Sequence, residues 1–294
     1  MHTKQQIQQL LASVNFSPNH RRGQNFLIDL NLMRLLLQIA DIHSNDIVLE
    51  IGCGTGSLTS ALAERSAKVI SVEIEEPLAK IAAEQLADYD NVQIILGDVL
   101  ENKNLITAEV IDALRTAREQ NTGRLMLVAN LPYSVACPVM LNLVTGPVQA
   151  DCMYVTVQKE VAERMVAAPG SKDYGSISIL LAATGEVKIE RKLSPSVFWP
   201  EPQVDSAIVS FVREPQKVDA IHDMKTLSEI ISLFFGHRRK MLKVCTKLAQ
   251  GRLEKIHNWP QIFEEACVEP HSRPEQLTPC QYVSIANICA EQIR

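Results

Sequence analysis

Short apolar runs alternate with amphipathic stretches over residues 30–157, and this alternation restricts the possible folds more than any other feature of the sequence. Each run is short and bounded by glycine or polar residues, which is typical of a buried strand. Strands alternating with helices form parallel βαβ units whose sheet is covered on both faces. The pattern predicts strands at 46–51, 68–73, 92–96, 125–129 and 152–157 and helices at 30–43, 57–65, 77–86, 105–120 and 139–144.

The pattern changes after about residue 187. A late strand is predicted at 206–213, followed by a linker at 215–219. Beyond it, proline and glycine separate short helical stretches at 223–235, 238–250, 259–267 and 280–292. We therefore predict a Rossmann-like α/β domain over 1–214 and a small all-helical domain over 215–294.

Composition excludes several classes of protein. The formal charge is −5, which argues against a chain that binds polyanions with its whole surface. No apolar run approaches the roughly 18–20 residues that span a bilayer, and the first residues lack the apolar core of a signal peptide. The seven cysteines form no CxxC pair, and the histidines form no HExxH motif. We expect a cytoplasmic protein with reduced thiols, no membrane association and no metal.

A glycine-rich loop, Glu50–Gly56, joins the first strand to a helix. Its spacing is GxGxG, and Glu73 ends the second strand about 20 residues on, where an acidic side chain can bind ribose hydroxyls. Asp98 ends the third strand, where a carboxylate can accept from an adenine amino group. Together these features favour S-adenosylmethionine over a dinucleotide. The alternatives are an ordinary tight turn for the loop and an ordinary surface acid for Glu73.

Five segments resemble, in order and spacing, the ribosomal RNA adenine dimethyltransferases of the small subunit (KsgA-type). They are GQNFL at 23–27, the glycine loop at 50–56, NLPY at 130–133, FWPEPQVDS at 198–206 and the basic FFGHRRKML at 234–242. The resemblance extends from about residue 19 to 250. The polar stretch 101–123 is longer than is usual in the family, and its role is open.

The NLPY tetrapeptide has a chemical interpretation. An exocyclic adenine amine is a poor nucleophile because its lone pair is delocalised into the ring. The Asn130 side-chain carbonyl and the Leu131 backbone carbonyl can accept its two N–H groups and orient its lone pair. Pro132 stiffens the turn, and Tyr133 and Phe198 can stack on the base. The alternatives are a plain turn for NLPY and a core position for Phe198.

The resemblance implies a Rossmann-like fold and S-adenosylmethionine as cofactor. It implies dimethylation of N6 on two adjacent adenosines in a hairpin loop near the 3′ end of small-subunit (16S) rRNA, in ribosome biogenesis. The partner is that RNA or a pre-30S ribosomal particle, and we expect a monomer. The residues predicted to contact the cofactor are Asn25, Leu27, Gly52, Gly54, Glu73, Asp98 and Asn130.

Positive charge is concentrated in residues 225–255, which carry eight Lys or Arg against two Glu and are therefore net +6. Phosphate contacts from such a segment would position an RNA while a pocket reads one extruded base. The alternative is a solvated basic face. The predicted RNA contacts are Arg21, Arg22, Arg238, Arg239, Lys240 and Lys243.

Two other functions remain open at this point. One is an adenine methyltransferase of large-subunit RNA, of the macrolide-resistance type; the helical tail and Asp205 argue against it. The other is a non-catalytic assembly or transcription factor on the same fold, against which the intact Asn130–Tyr133 and Glu73 argue.

Overall fold

The computed structural model describes residues 1–19, 23–102 and 105–293. The described chain divides into two compact units, one of residues 1–162 and 188–212 and the other of residues 163–187 and 213–294. This division differs from the predicted one at residue 214, because residues 163–187 group with the C-terminal residues. The predicted two-domain organisation stays a prediction.

Both strands and helices are numbered in chain order. The strands are β1 Phe26–Leu27, β2 Ile47–Ile51, β3 Lys68–Glu73, β4 Val92–Leu96, β5 Leu100–Asn102, β6 Leu105–Ile106, β7 Leu125–Asn130, β8 Cys152–Gln158, β9 Gly185–Leu193, β10 Phe198–Trp199 and β11 Ser206–Arg213. The helices are α1 Lys4–Ser13, α2 Leu30–Ala40, α3 Ser57–Ala63, α4 Glu76–Gln85, α5 Ala108–Gln120, α6 Ala136–Thr145, α7 Lys159–Met165, α8 Ser176–Thr184, α9 Pro215–Asp219, α10 Met224–Gly236, α11 Leu242–Cys245, α12 Trp259–Glu265 and α13 Pro279–Ile293.

The main sheet has the order β4-β3-β2-β7-β8-β11-β9 within the described residues. The pairs from β4 to β8 are parallel, and β11 is antiparallel to β8. The chain builds the sheet outward from β2 to β4 and then resumes on the other side of β2 with β7. The order therefore reverses between β2 and β7, and ligands of open α/β sheets bind at the carboxyl ends of strands at such a point.

The predicted mostly parallel α/β sheet is confirmed. All five residues of β2 are buried, which fits a central strand covered on both faces. The predicted helix at 105–120 was wrong at its start, because strand β6, which pairs with β5, occupies Leu105–Ile106 and α5 begins at Ala108. The sequence prediction also omitted α1, α7, α8, β1, β9 and β10.

A two-stranded ladder joins the GQNFL and FWPEPQVDS segments in the first unit. Phe26 pairs with Trp199 and Leu27 with Phe198 in the β1–β10 register. The Phe26 and Trp199 rings stack with centroids 6.4 Å apart. Leu27 and Phe198 are both buried in the core cluster that includes residues of α2. Two segments far apart in sequence are therefore held as one structural element.

Helices make up most of the second unit. Its core contains the aromatic side chains of Phe234, Trp259, Phe263 and Tyr282, whose ring centroids lie 6.1–6.5 Å apart. The segment 215–219, predicted as a linker, forms the short helix α9, which begins at Pro215.

The basic segment of this unit is less helical than predicted. The predicted helix at 238–250 was wrong: α10 ends at Gly236, a turn follows, and α11 spans only Leu242–Cys245 before a 3₁₀ turn at Thr246–Leu248. The residues HRRK at 237–240 therefore lie in a loop, which we call the basic loop.

The described residues contain neither a helix able to cross a membrane nor a cluster of metal-binding side chains. In the ranges that the structure covers, no helix combines the length and the apolar character needed to cross a membrane. The same ranges hold no group of three or more His, Cys, Asp or Glu side chains placed to bind a metal ion.

Candidate active site

A cavity of about 440 Å³ lies in the first unit, lined by residues from the ends of β2, β3 and β7 and from the turn after β4. This volume is in the range of sites for small molecules and cofactors. The lining includes all seven predicted cofactor contacts, which are Asn25, Leu27, Gly52, Gly54, Glu73, Asp98 and Asn130. Of the residues predicted to act in catalysis, Asn130 and Pro132 line it. Leu131, Tyr133 and Phe198 do not line it.

The glycine loop has a backbone that side chains would disturb. Gly52 and Gly54 have φ of +81° and +57°, in the region that glycine tolerates. A Cβ on Gly54 would lie 2.9 Å from Cε1 of Phe26, and one on Gly52 would lie 3.4 Å from Cγ of Pro132. The loop therefore approaches both the GQNFL and the NLPY segments. The 2.9 Å approach requires glycine at Gly54, and the positive φ favours glycine at both positions.

Glu73 is tied into this loop. Its Oε2 accepts a hydrogen bond from the Gly54 N–H at 2.9 Å, and its Oε1 accepts one from the Glu75 N–H at 3.0 Å. The side chain is only 4% exposed, and burial raises the pKa of its carboxyl. The alternative of an ordinary surface acid is therefore wrong: this carboxylate is part of the cavity wall.

Glu50 is a second buried acid that lines the cavity, and sequence reasoning did not assign it a role. The hydroxyl groups of Thr59 and Ser71 both donate to its Oε2, at 2.6 and 3.0 Å. Burial, with a smaller contribution from the charge of Glu73, raises the pKa of the Glu50 carboxyl to about 7. The group therefore changes its charge near neutral pH.

This pKa predicts a pH-dependent stability. In the folded protein the Glu50 carboxyl keeps its proton up to about pH 7. In the unfolded chain it has the ordinary pKa of 4.5 and loses the proton at lower pH. The stabilisation from this group is complete below pH 4.5 and is lost as the pH rises through about 7. Glu50→Gln cannot titrate, so relative to wild type its free energy of unfolding should rise by about 3 kcal/mol between pH 4.5 and 8. Urea unfolding at both pH values measures this, and a difference that does not change with pH would contradict it.

Asn130 sits at the centre of a short chain of hydrogen bonds. Its side-chain Nδ2 donates to the backbone carbonyl of Asn25 at 2.8 Å. Its Oδ1 accepts from the hydroxyl of Thr156 on the neighbouring strand β8. The Oδ1 of Asn25 is buried and has no hydrogen-bond partner among the described residues. An unpaired buried carbonyl is costly and is available to a donor group of a ligand.

The two aromatic residues predicted to stack on the target base, Tyr133 and Phe198, lie in different environments. The Tyr133 hydroxyl lies 2.7 Å from Oγ of Ser206, which joins the NLPY and FWPEPQVDS segments. Phe198 is 2% exposed and packs in the core. Its predicted stacking on a base disagrees with this placement, because a ring must be exposed to stack. In this structure Phe198 instead holds β10 against β1.

Sequence reasoning missed the contribution of α1. Ile7 lines the cavity, and together with Leu11 it packs on Leu78 and Ile81 of α4. The His2 backbone N–H donates to the Ser57 hydroxyl at 2.6 Å, at the start of α3. A signal was present in the capping box formed by Thr3 and Gln6 ahead of apolar residues at helical spacing.

The predicted RNA contacts fall into three groups. Arg238 is engaged within its own unit, donating to Glu275 at 2.6 Å and to the Lys172 carbonyl at 2.8 Å, and this placement disagrees with a primary role in RNA binding. Arg239 and Lys240 are exposed in the basic loop. Lys243 is exposed as well, with its Nζ 2.8 Å from Nε2 of His271. Arg21 and Arg22, which are also predicted to contact RNA, lie outside the described residues.

A comparison with protein families gives a match over nearly the whole chain. The family described as "Ribosomal RNA adenine dimethylase" matches residues 15–290. The match includes every one of the five motif segments and the residues of the cavity except those contributed by α1.

Two curated proteins similar to the chain carry the same name. The "Ribosomal RNA small subunit methyltransferase A" of Geobacillus thermodenitrificans is 34% identical over 287 residues, which cover 97% of this chain and 95% of that protein. The protein of the same name from Levilactobacillus brevis is 36% identical over 267 residues, covering 90% of this chain and 88% of that protein.

Solved structures share the fold. A dimethyladenosine transferase from Plasmodium falciparum superposes with a TM-score of 0.73 at 22% identity, covering 91% of this chain and 98% of that one. A 23S rRNA methyltransferase, ErmE, superposes with a TM-score of 0.60 at 21% identity, covering 90% of this chain and 98% of that one. At these identities the likeness establishes the architecture alone.

Proposed function

Because this chain belongs to the ribosomal RNA adenine dimethylase family, we propose that it transfers methyl groups from S-adenosylmethionine to N6 of adenosine in small-subunit ribosomal RNA. The observation that carries this proposal is the position of Asn130, whose amide lies at the cavity in an orientation fixed on two sides. An acceptor for an adenine amine, the Asn130 amide, therefore lies in the wall of the proposed cofactor site.

The residues of the cavity fit S-adenosylmethionine. The buried Asn25 Oδ1 is an acceptor in need of a donor, which the amino group of the methionine part supplies. The Glu73 carboxylate is the acceptor that ribose hydroxyls require, and Asp98 can accept from the adenine amino group. Gly52 and Gly54 leave open the space that side chains would fill. We assign these residues, with Leu27, to cofactor binding.

The protein contributes orientation and electrostatics to the reaction. The bound cofactor supplies a methyl group on a positively charged sulfur. Asn130 Oδ1 and the Leu131 carbonyl accept the two N–H groups of the adenine amine, which directs the nitrogen lone pair into the cavity. The methylated nitrogen is cationic and loses its proton readily, so no strong general base is needed. Pro132 holds this turn, and Tyr133 is the aromatic side chain beside it.

The finer substrate assignment is also part of the proposal. The target is two adjacent adenosines in a hairpin loop near the 3′ end of the small-subunit RNA, each methylated twice. We place the reaction in the cytoplasm, on the RNA or on a pre-30S particle, with the protein acting as a monomer. The name of the curated relatives, which refers to the small subunit, supports this choice over the large subunit.

Methyl transfer to defined ribosomal particles tests the proposal. The protein is incubated with tritiated S-adenosylmethionine and with undermethylated small subunits or large subunits, and the labelled nucleotides are mapped. We expect label at N6 of two adjacent adenosines of the small subunit. Label in the large subunit, or no label where a control enzyme of the family is active, would overturn it.

The basic loop gives a separate prediction about RNA affinity. Arg239 is exposed and has no hydrogen-bond or ion-pair partner among the described residues. Arg239→Glu should weaken RNA binding about tenfold and reduce the slope of log affinity against log salt by about 1. Filter binding at several salt concentrations measures both effects.

The matched control is Arg115→Glu, which makes the same charge change on an exposed arginine of α5. It should leave the salt slope close to that of wild type. If the two variants weaken RNA binding equally, the loss reflects net charge, and the basic loop is not the contact.

A further inference from the structure

Thr156 is a buried residue next to Asn130 of the cavity lining, and it lies outside the five motif segments. It lies on β8 directly opposite Asn130 of β7 in the parallel register. Its side chain is fully buried, so its hydroxyl must find a partner within the protein. That partner is Oδ1 of Asn130, the atom that accepts a hydrogen bond from the substrate amine in the proposed function.

The orientation of the Asn130 amide follows from its two neighbours. The Asn25 backbone carbonyl can only accept, so the Nδ2 side of the amide must face it at 2.8 Å. Oδ1 then faces Thr156, whose hydroxyl is the donor because Oδ1 carries no hydrogen. A carbonyl oxygen has two lone pairs, and Thr156 occupies one. The second lone pair is left for the substrate.

The amide would not hold this orientation unaided. The terminal torsion of asparagine is broad, with no narrow staggered minimum. With Asn25 alone, the amide is fixed at one end and can rock about that bond. The Thr156 hydroxyl adds a fixed point at the other end, on a central strand of the sheet.

We propose that Thr156 is a positioning residue for methyl transfer, which holds Asn130 Oδ1 so that its free lone pair meets the adenine amine. This inference rests on the proposed function. Because Thr156 acts through Asn130, its loss should lower kcat and leave binding intact. Misplacement of a reacting group by a fraction of an ångström to one ångström lowers rates by roughly 10- to 100-fold.

Thr156→Val tests this with a side chain of nearly the same shape and no hydroxyl. We expect kcat to fall roughly 10- to 100-fold, with KM for RNA and the calorimetric Kd for S-adenosylmethionine within about twofold of wild type. Thr156→Ser keeps the hydroxyl and should restore kcat to within a few-fold of wild type. If Thr156→Val does not fold, Thr156→Ala removes the same hydroxyl without added bulk and is judged by the same criteria.

Thr184→Val is the matched control. Thr184 is also fully buried, its hydroxyl donates to the Leu180 carbonyl within α8, and it is not one of the residues that line the cavity. This variant should keep the wild-type kcat, because it loses a hydrogen bond that the reaction does not use.

The outcomes separate this inference from the function on which it rests. Absence of methyl transfer by the wild-type protein would refute the proposed function itself. An active wild type with an equally active Thr156→Val would refute the positioning role alone. An equal loss in Thr156→Ser, or a loss of cofactor affinity that matches the loss in kcat, would also refute it, because a general packing role would produce either result.

Discussion

Replacing Asn130 by alanine should reduce kcat for methyl transfer by roughly 100- to 1000-fold, the cost of removing one preorganised polar group from a reacting centre. The substitution removes the acceptor for the adenine amine. It also removes the partner of both the Asn25 carbonyl and the Thr156 hydroxyl. Single-turnover transfer of tritiated methyl to undermethylated small subunits measures the loss.

RNA affinity should change little in the same variant, because phosphate contacts by charged side chains supply most of it and Asn130 is uncharged. Filter binding therefore separates chemistry from substrate binding. Asn142→Ala is a suitable control, since Asn142 is half-buried on α6 and donates to the Pro138 carbonyl at 2.8 Å, outside the cavity lining. A loss of RNA affinity in Asn130→Ala as large as the loss in kcat would contradict the assigned role.

Glu73→Ala should weaken S-adenosylmethionine binding by roughly 100-fold, about the loss expected when hydrogen bonds to a buried charged group are removed. The carboxylate accepts from the N–H groups of Gly54 and Glu75, so it fixes the glycine loop as well as facing the cavity. Its loss therefore removes a contact to the cofactor and loosens the loop that approaches it. Isothermal titration calorimetry with the cofactor alone measures the effect without any RNA.

Glu76→Ala controls for the change of charge, because Glu76 is exposed in the first turn of α4, three residues along the chain. Its cofactor affinity should stay within about twofold of wild type. The cofactor affinity of Glu73→Gln should lie between those of Glu73→Ala and Glu76→Ala. Its amide oxygen can accept from one of the two backbone N–H groups, and its NH₂ group cannot accept from the other. If Glu73→Ala bound the cofactor with wild-type affinity, the Glu73 carboxylate would not be a cofactor contact.

Much of the first unit could be predicted from local patterns. The strands β3 and β4 have the bounds that the apolar runs indicated, and β2, β7 and β8 differ by a residue at one end. Buried parallel strands are nearly continuous in apolar residues, so their signal is strong. The late strand β11 also has its predicted bounds, and the prediction failed mainly at 238–250, where a loop, the short helix α11 and a 3₁₀ turn replace the expected helix.

The placement of residues whose environment depends on contacts with distant parts of the chain was harder to predict. Arg238 has the same local sequence signal as Arg239, yet an ion pair with Glu275, 37 residues away, engages it. Phe198 was a candidate for stacking on a base, with a core position as the alternative, and the β1–β10 ladder buries it. Neither contact could be predicted from the neighbouring residues in the sequence, because each is made with a residue far along the chain.

The sequence by itself determined the alternation of strands and helices, the glycine loop with Glu73, and the NLPY tetrapeptide, because periodicity and backbone requirements are properties of neighbouring residues. Only the tertiary structure decided that Thr156 faces Asn130, that Ser206 meets Tyr133 and that Ile7 lines the cavity. These contacts depend on the register between strands and on the packing of distant helices. Register is set by the whole sheet and its core, so it cannot be obtained from any one segment.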